Sequence, residues 1–268
     1  MMVRVGVCGA AGRMGKTILD VCKETDGVEV TATIEYSESP MLGIDAGEVA
    51  GIGKLGVLIT DDISSIADQV DVIIDFTFAA SVSANIKKCV SSSVKMVIGT
   101  TGLTDEDHEQ IKLASNKIAI VFAPNMSIGV NLCLKLLEMA SQVIGNDADI
   151  EIIEAHHRHK KDAPSGTAIR MGEVVANTLD RNLKDCAVYG REGITGERDK
   201  NTIGFETIRA GDIVGEHTVM FATDGERVEI SHKATSRKTF ASGAVRAAQW
   251  LATKKYGLFD MQDVLNLK

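Results

Sequence analysis

The 268-residue chain has few cysteines, no long apolar run and fewer positive than negative charges. Its five cysteines are widely spaced and include no Cys-x-x-Cys pair, which argues against a disulfide framework or a zinc knuckle and favours a reducing compartment. The apolar stretch Ile118–Ala123 is far shorter than the roughly 20 residues that a membrane-spanning helix needs. The first residues enter a strand pattern directly, without the features of a signal segment. We therefore expect a soluble, cytoplasmic protein with no membrane partner.

The charge balance limits the partners further. There are 29 lysines and arginines against 37 aspartates and glutamates, which gives a formal net charge of −8. Nucleic acids and anionic membranes are polyanions, so this balance excludes a bulk electrostatic hold on either and leaves open only a local basic pocket. Hydrophobic residues make up 44% and charged residues 25% of the chain, which is ordinary globular usage. We expect one large domain or two smaller ones, with no need for stabilising disulfides.

The first half of the chain alternates between strand and helix patterns. Short apolar runs recur with helical patterns between them, which predicts βαβ units and a parallel sheet with helices on both faces. The strand candidates are Val3–Cys8, Val28–Ile34, Val72–Ile74, Met96–Ile98 and Ile118–Phe122. The glycine-rich interval 42–56 interrupts this alternation and is predicted to be a surface loop.

The second half has a different pattern. A long helix pattern over Ile128–Ile144 is followed by a strand, a polar loop and a second helix. Three strand candidates then follow without helices between them, at Thr202–Arg209, His217–Thr223 and Arg227–Lys233. Consecutive strands of this kind predict a mixed or antiparallel sheet. We therefore predict an α/β protein in which residues 128–237 form a separate α+β domain with a mixed, largely open sheet.

A glycine-rich turn, Gly9-Ala10-Ala11-Gly12-Arg13-Met14-Gly15, joins the first strand to the first helix. Such a turn presents free backbone N–H groups and the positive end of the helix dipole, which suit a pyrophosphate. Glycines keep side chains away from the phosphates. Glu35, at 35 − 15 = 20 residues after Gly15, ends the second strand, where a carboxylate would hold ribose hydroxyls. These features predict a Rossmann-like dinucleotide-binding domain over residues 1–127, and a tight turn without a ligand is the alternative.

The residue after Glu35 bears on the choice of cofactor. A basic residue at that position would favour the 2′-phosphate of NADPH, and this chain has Tyr36. The absence of a positive charge favours NADH, although Arg13 could supply one.

Two further loops follow strands of the predicted parallel sheet. They are Gly99-Thr100-Thr101-Gly102 and Ala123-Pro124-Asn125-Met126. Ligands of open α/β sheets bind beyond the carboxyl ends of the strands, so both loops are candidates for cofactor contacts. Plain connecting loops are the alternative.

Half of the six histidines lie in one segment, at His156, His157 and His159. From residue 154 to 170 this segment has four positive and two negative residues, so its charge is 4 − 2 = +2 in a chain of −8. The positive residues are Arg158, Lys160, Lys161 and Arg170, and the negative ones are Glu154 and Asp162. The segment is therefore the local basic region that the overall charge left open.

Three interpretations of this histidine-rich segment compete. A metal site would use the imidazoles, but the neighbouring lysines and arginines would repel a cation, and no thiolate or suitably spaced carboxylate completes a zinc shell. A solvated basic loop is the second. The third is an anion-binding acid site, in which histidine and lysine donate protons and Ser165-Gly166-Thr167 opens a helix whose N–H groups bind a carboxylate.

The run Glu154–Ala168, with the sequence EAHHRHKKDAPSGTA, resembles the signature of the dihydrodipicolinate reductase family. The similarity covers essentially the full chain, through Gly9–Gly15, Gly99–Gly102, Phe122–Asn131, Val188–Glu197 and Ile203–His217. It implies the reduction, by NADH or NADPH and with loss of water, of 4-hydroxy-2,3,4,5-tetrahydrodipicolinate to 2,3,4,5-tetrahydrodipicolinate. That reaction belongs to the diaminopimelate pathway of lysine biosynthesis.

The resemblance also implies roles for individual residues. His156 would be a proton donor and acceptor, and Lys160 a proton donor near the ring imine. The residues implied in substrate binding are His157, Ser165, Gly166 and Thr167. Those implied in cofactor binding are Gly9, Ala10, Ala11, Gly12, Arg13, Met14, Glu35, Gly99, Thr100, Thr101, Ala123, Pro124, Asn125 and Met126. No metal is implied. Members of the family are usually homotetramers assembled through the sheet of the second domain, and residues 238–268 would pack back on the first.

The chain departs from the family pattern at Tyr36 and Phe78, where some relatives have arginine. We predict at most modest discrimination between the two cofactors, with NADH well accepted.

Two competing classes remain at this point. Aspartate-semialdehyde and homoserine dehydrogenases also join a nucleotide domain to a mixed sheet. The first needs a cysteine nucleophile, for which Cys133 is the candidate, but it lies within an apolar helix pattern typical of a core residue. A nucleotide-sensing regulator would need the glycine-rich turn but not His156 or Lys160.

Overall fold

The computed structural model describes residues 2–268, and the chain divides into two compact units. The first unit contains the residues up to Ile128 together with Arg237–Lys268, and the second contains Gly129–Ser236. Within the described range, no helix is both long enough and apolar enough to cross a membrane.

The helices and strands follow one another in a simple order. They are β1 Val3–Cys8, α1 Arg13–Glu24, β2 Val28–Ile34, α2 Ala46–Ala50, β3 Ile59–Thr60, a 3-10 helix Ser64–Gln69, β4 Val72–Asp75, α3 Ala79–Ser91, β5 Lys95–Ile98, α4 Asp105–Ser115, β6 Ala119–Phe122, α5 Ile128–Ile144, β7 Asp149–His156, α6 Gly166–Thr178, α7 Leu183–Cys186, β8 Ala187–Tyr189, β9 Ile203–Arg209, β10 Gly215–Thr223, β11 Glu226–Ala234, α8 Lys238–Leu251, β12 Gly257–Phe259 and α9 Met261–Leu265.

The first unit is built on a seven-stranded sheet in the order β12-β6-β5-β4-β1-β2-β3. Every pair of neighbouring strands is parallel. The strand order reverses direction at β1, which creates a crevice at the carboxyl ends of β1 and β4 of the kind that binds nucleotides in doubly wound folds. The predicted parallel sheet is confirmed.

Central strands of this sheet such as β4 are nearly continuous apolar runs because both faces of the sheet are covered. Val72, Ile73 and Ile74 are fully buried in β4, although their side chains point alternately to opposite faces. Helices α1 and α8 pack on one face, and α3 and α4 pack on the other. Helix α8 thus places the C-terminal segment on the first unit. The helix lies so close to Met126 that a Cβ at Gly243 would overlap the Met126 carbonyl oxygen, so only glycine fits there.

The second unit has a five-stranded mixed sheet in the order β11-β10-β7-β9-β8. Strands β7, β8 and β9 pair in parallel, whereas β10 is antiparallel to both β7 and β11. Helix α6 covers one face, over a core that includes Ile152, Phe205 and Phe221. The α/β fold class, with a Rossmann-like unit and a mixed-sheet unit, is confirmed.

The glycine-rich interval 42–56 is more ordered than its composition suggested. It contains the short helix α2, which begins after the buried Asp45. The Asp45 carboxylate accepts four backbone N–H groups, those of Gly47, Glu48, Leu55 and Gly56. These hydrogen bonds lower the pKa of Asp45. A helix of five residues is too short to show a helical period, so the sequence pattern does not predict it.

Candidate active site

The glycine-rich turn adopts a backbone shape that only small residues allow. Gly9 has a φ of +67°, in the left-handed region that favours glycine. A Cβ at Gly15 would overlap the carbonyl oxygen of Gly9 and lie 2.7 Å from the Cα of Ala10, so α1 can start this close to β1 only with glycine there. The loop therefore brings the start of α1 directly against the end of β1.

The start of α1 presents its N–H groups to an incoming anion. Gly12 is the N-cap and provides no side-chain hydrogen bond, and the first turn contains no acidic residue. The first N–H groups of a helix have no partner within the helix, and the helix dipole favours negative charge at this end. The turn therefore fits the pyrophosphate of a dinucleotide.

The Glu35 carboxylate lies beside the turn. Its Oε1 atom accepts the backbone N–H of Ala11 at 2.8 Å, which fixes the carboxylate at the carboxyl end of β2. Tyr36, the residue after Glu35, is 61% exposed, and Phe78, which follows β4, is 84% exposed. The predicted ribose contact thus lies at the carboxyl end of β2, beside the glycine-rich turn.

The two remaining candidate cofactor loops end at the same edge of the sheet. The N–H of Gly99 donates to the carbonyl of Asp75 at 2.9 Å, and that of Ala123 donates to the carbonyl of Ile98 at 3.1 Å. Gly99 has no room for a side chain, because the Phe76 ring occupies the position of a Cβ. Thr100, Ala123 and Met126 are buried, whereas Thr101 and Pro124 are exposed. Every predicted cofactor residue therefore lies at the carboxyl edge of the first unit's sheet.

In the second unit, β7 carries two functional side chains on one face. Glu154 and His156 are two positions apart, so both project toward the covered face of the sheet. Glu154 is 1% exposed and His156 is also buried. His156 Nδ1 lies 2.6 Å from Glu154 Oε2, a short contact between an imidazole and a carboxylate.

Glu154 also binds Arg209 and the start of α6. Two Arg209 nitrogens each donate to the carboxylate at 2.8 Å, and the N–H of Ser165 donates at 3.0 Å. Burial would raise the pKa of Glu154, but these hydrogen bonds and that of His156 outweigh burial and lower the pKa. The carboxylate is therefore ionised.

His156 is held in a predominantly neutral form. Burial lowers its pKa, and the positive charges of Lys160 and Arg209 lower it further. The Glu154 carboxylate raises the pKa of His156, but burial and the two positive charges outweigh it.

A second histidine, His217 of β10, packs against the first. The rings of His156 and His217 are 5.1 Å apart and nearly perpendicular. His217 Nε2 lies 2.8 Å from Ser165 Oγ, and burial lowers the pKa of His217 to about 4. His217 is therefore uncharged near neutral pH.

The loop after β7 carries Lys160, which the structure ties to the same cluster. Lys160 Nζ lies 2.8 Å from an Asp162 carboxylate oxygen, and Arg209 donates to the Asp162 carbonyl at 2.6 Å. The backbone N–H of His157 donates to the carbonyl of Ile213 at 2.8 Å, which fixes the start of the loop. Lysine and histidine, the two predicted proton donors, are thus anchored through one arginine.

The start of α6 completes the site. Ser165 is the N-cap, and its Oγ accepts the N–H of Ala168 at 3.1 Å. Gly166 is exposed, and nothing lies within 4 Å of the position of a Cβ there, while Thr167 is half-buried. The first turn carries no acidic residue, so its N–H groups and dipole suit a carboxylate.

The structure brings together most of the histidine-rich segment but not all of it. His156, Lys160 and Ser165 share the Glu154–Arg209 network, whereas His159 is exposed and outside that network. No sequence motif predicts a role for Glu154, Arg209 or His217. Glu154 could have been found from its spacing of two residues before His156. The other two come from β9 and β10, and only strand register places Arg209 opposite His156 and His217 opposite Glu154.

Among residues 2–268, no three histidine, cysteine, aspartate or glutamate side chains are grouped so that they could hold a metal ion. Cys133, the candidate nucleophile of the competing dehydrogenase class, is buried in α5, and burial raises the pKa of its thiol. A thiol with a raised pKa is a poor nucleophile.

Comparisons with known proteins agree with this arrangement. The N-terminal part of the dihydrodipicolinate reductase family matches residues 3–126, and the C-terminal part matches residues 129–265. The chain is 60% identical over 268 residues to a curated 4-hydroxy-tetrahydrodipicolinate reductase from Methylococcus capsulatus, with 100% of both chains covered.

Two solved structures are informative. A dipicolinate-bound dihydrodipicolinate reductase from Paenisporosarcina superposes with a TM-score of 0.77 at 25% identity, over 98% of this chain and 99% of that one. An aspartate-semialdehyde dehydrogenase from Vibrio cholerae superposes with a TM-score of 0.53 at 10% identity, over 96% of this chain and 100% of that one, which shows a shared fold alone.

The fold and the residues described above define an oxidoreductase with a Rossmann-like nucleotide-binding domain, which implies the use of a pyridine nucleotide. The chain belongs to the dihydrodipicolinate reductase family.

Proposed function

We propose that the protein catalyses the NAD(P)H-dependent reduction of 4-hydroxy-2,3,4,5-tetrahydrodipicolinate to 2,3,4,5-tetrahydrodipicolinate with loss of water, in the diaminopimelate pathway of lysine biosynthesis. The observation that carries this proposal is a single network in which Glu154 binds His156, the start of α6 and Arg209, and Arg209 binds Asp162, the partner of Lys160. This arrangement combines two proton donors with an anion-binding helix start, as a dicarboxylate with a ring imine requires. The 60% identity to the Methylococcus reductase supports the same reaction.

In this proposal residues 1–127 bind the cofactor, and the C-terminal segment 238–268 packs on that domain. The N–H groups at the start of α1 would bind the pyrophosphate and Glu35 the ribose hydroxyls. The loops after β5 and β6 would bind the nicotinamide half. The full set is Gly9, Ala10, Ala11, Gly12, Arg13, Met14, Glu35, Gly99, Thr100, Thr101, Ala123, Pro124, Asn125 and Met126. When bound, the cofactor supplies the hydride that adds to the substrate ring.

Residues 128–237 bind the substrate and form the subunit contacts. The helix start at Ser165, Gly166 and Thr167 would bind one carboxylate of the substrate, with His157 as a further contact. Lys160 would protonate near the ring imine, and His156 would donate and accept a proton as the 4-hydroxyl leaves as water. The Paenisporosarcina relative was solved with dipicolinate, a dicarboxylate, which supports this class of ligand.

We also propose a homotetramer in the cytoplasm. Unit 2 carries exposed apolar side chains on the sheet and its loops, at Ile208 and Ile194, which favour assembly through this unit. All five cysteines are unpaired, as in a reducing compartment. We propose that the protein binds neither nucleic acid nor a membrane.

A coupled assay tests the reaction. The condensation product of pyruvate and aspartate semialdehyde is added to the protein with NADH or NADPH, and cofactor oxidation is followed by absorbance. We expect oxidation only when substrate and cofactor are both present. Omission of either component is the control, and no oxidation with freshly prepared substrate would reject the proposed function.

A further inference from the structure

We propose that Glu154 and Arg209 form a positioning pair, which aligns the His156 ring and the Lys160 loop for proton transfer. The proposal deepens the proposed function and rests on it, because both residues act through side chains of that site. It assigns a role to a buried glutamate and a partly buried arginine that do not themselves bind substrate.

Glu154 uses both oxygens of its carboxylate. Oε1 accepts from Ser165 N–H at 3.0 Å and Arg209 Nη2 at 2.8 Å, and also from the Thr207 hydroxyl at 3.3 Å. Oε2 accepts from Arg209 Nη1 at 2.8 Å and faces His156 Nδ1 at 2.6 Å. A carboxylate held by this many donors has one orientation, so it can fix the groups around it.

The contact with Nδ1 sets the tautomer of His156. An ionised carboxylate can only accept a hydrogen bond, so Nδ1 of His156 carries the hydrogen. Nε2 is then left to exchange a proton with substrate. Nε2 lies near Gly215, where a Cβ would be only 3.0 Å away, so glycine at this position avoids a tight contact with Nε2. The geometry therefore leaves Nε2 as the ring nitrogen of His156 that is not bound to the carboxylate.

Arg209 connects Glu154 to Lys160 through Asp162. Its guanidinium binds the Glu154 carboxylate and the Asp162 carbonyl, and the Asp162 carboxylate pairs with Lys160 at 2.8 Å. The connection from His156 to Lys160 thus runs through Glu154, Arg209 and Asp162. Loss of either member of the pair releases both proton donors.

The charges facing His156 predict how each variant will behave. Glu154 lies on the same strand, Arg209 on β9 and Lys160 on the following loop, with Asp162 beside Lys160, while His217 on β10 is neutral. Glu154 raises the pKa of His156, and Arg209 lowers it. Glu154→Gln therefore lowers the His156 pKa and Arg209→Met raises it, and a general loosening of the structure would not give opposite directions.

The test measures the pKa of the His156 ring by NMR titration of the full chain. The His156 resonance is identified as the one that disappears in His156→Gln. We expect the His156 titration to move to lower pH in Glu154→Gln and to higher pH in Arg209→Met. In the reductase assay, kcat should fall about 10- to 100-fold in both variants, the range for residues that orient a functional ligand. The cofactor Kd should stay unchanged, and the limb of the kcat profile that reports His156 should move in the same direction as the titration.

Glu151→Gln is the matched control. Glu151 lies on the same strand and pairs with two arginines, Arg191 and Arg198, but on the opposite face of the sheet. This variant should leave the His156 titration in place. If Arg209→Met does not fold, Arg209→Lys keeps the charge, so it should reduce kcat while the His156 titration hardly moves.

Shifts in the same direction in both variants, or a fall in kcat with an unmoved titration in Glu154→Gln, would overturn the proposal. The titration does not depend on turnover, so the two proposals fail separately. Opposite shifts in a protein that does not reduce the substrate would reject the reaction and not the pair. Normal turnover with no shifts would reject the pair alone.

Discussion

Glu35 and Ala11 are joined by a 2.8 Å hydrogen bond from the backbone N–H of the turn to the carboxylate at the end of β2. This bond fixes a negative charge where a dinucleotide fold binds the ribose hydroxyls. A 2′-phosphate at that position would be repelled by it. Tyr36 and Phe78, the exposed residues at the two positions where some relatives have arginine, supply no positive charge in compensation.

Cofactor preference follows from this relationship. We expect NADH to be well accepted, with kcat/KM values for NADH and NADPH within about tenfold of each other, equivalent to about 1.4 kcal/mol. Tyr36→Arg should improve kcat/KM for NADPH roughly tenfold, because one charge-assisted hydrogen bond contributes about 1.5 kcal/mol or more. Tyr36→Phe is the control and should change neither value. A large NADPH advantage in the unmodified protein would contradict the prediction.

The proton donors can be tested separately from cofactor binding. His156→Ala and Lys160→Ala should each lower kcat by roughly 10²–10⁴-fold, the usual contribution of a positioned acid. Fluorescence titration should show unchanged NADH binding in both, because both residues lie outside the first unit. His159→Ala, in the same segment but exposed, should retain near-normal kcat. Full turnover in either His156→Ala or Lys160→Ala would favour a nucleotide-sensing role.

The glycine-rich turn should not tolerate a side chain at Gly15. A Cβ there overlaps the carbonyl of Gly9, so Gly15→Ala must push α1 away from β1 and distort the proposed pyrophosphate site. We expect a marked rise in the NADH Kd, a lower Tm, or both, since overpacking costs about 1–3 kcal/mol. Lys16→Ala, at the next position of the helix, is the control. Unchanged NADH affinity and Tm in Gly15→Ala would show that the turn is not constrained in this way.

The buried His217 predicts a loss of stability in acid. Its pKa is about 4 in the folded chain against an ordinary 6.5, so the unfolded state takes up a proton first as the pH falls. The free energy of unfolding should therefore decrease between about pH 6.5 and pH 4, by about 2 kcal/mol at pH 5. His217→Gln removes the titration, so urea unfolding at pH 7 and pH 5 should show a smaller acid loss in this variant. Equal losses in both proteins would contradict the assignment.

Much of the first unit's fold could be predicted from the sequence, but its shortest elements could not. In the first, short apolar runs alternate with helices, so the parallel sheet and the glycine-rich turn could be predicted from local patterns. The two-residue β3, the five-residue α2 and the three-residue β12 were not predicted, because such short elements have no measurable period. Their conformation depends on contacts such as the backbone hydrogen bonds to Asp45.

The sequence by itself determined the fold class, the family resemblance and the residues that could carry chemistry, because these depend on residue type and on spacing within one segment. It also showed a +2 segment in a chain of −8. Only the tertiary structure decided how that segment is organised. Glu154, Arg209 and His217 come from three strands, and strand register places them on one face around His156. Register depends on pairing between distant segments, and the charge and tautomer of the histidine depend on that pairing in turn.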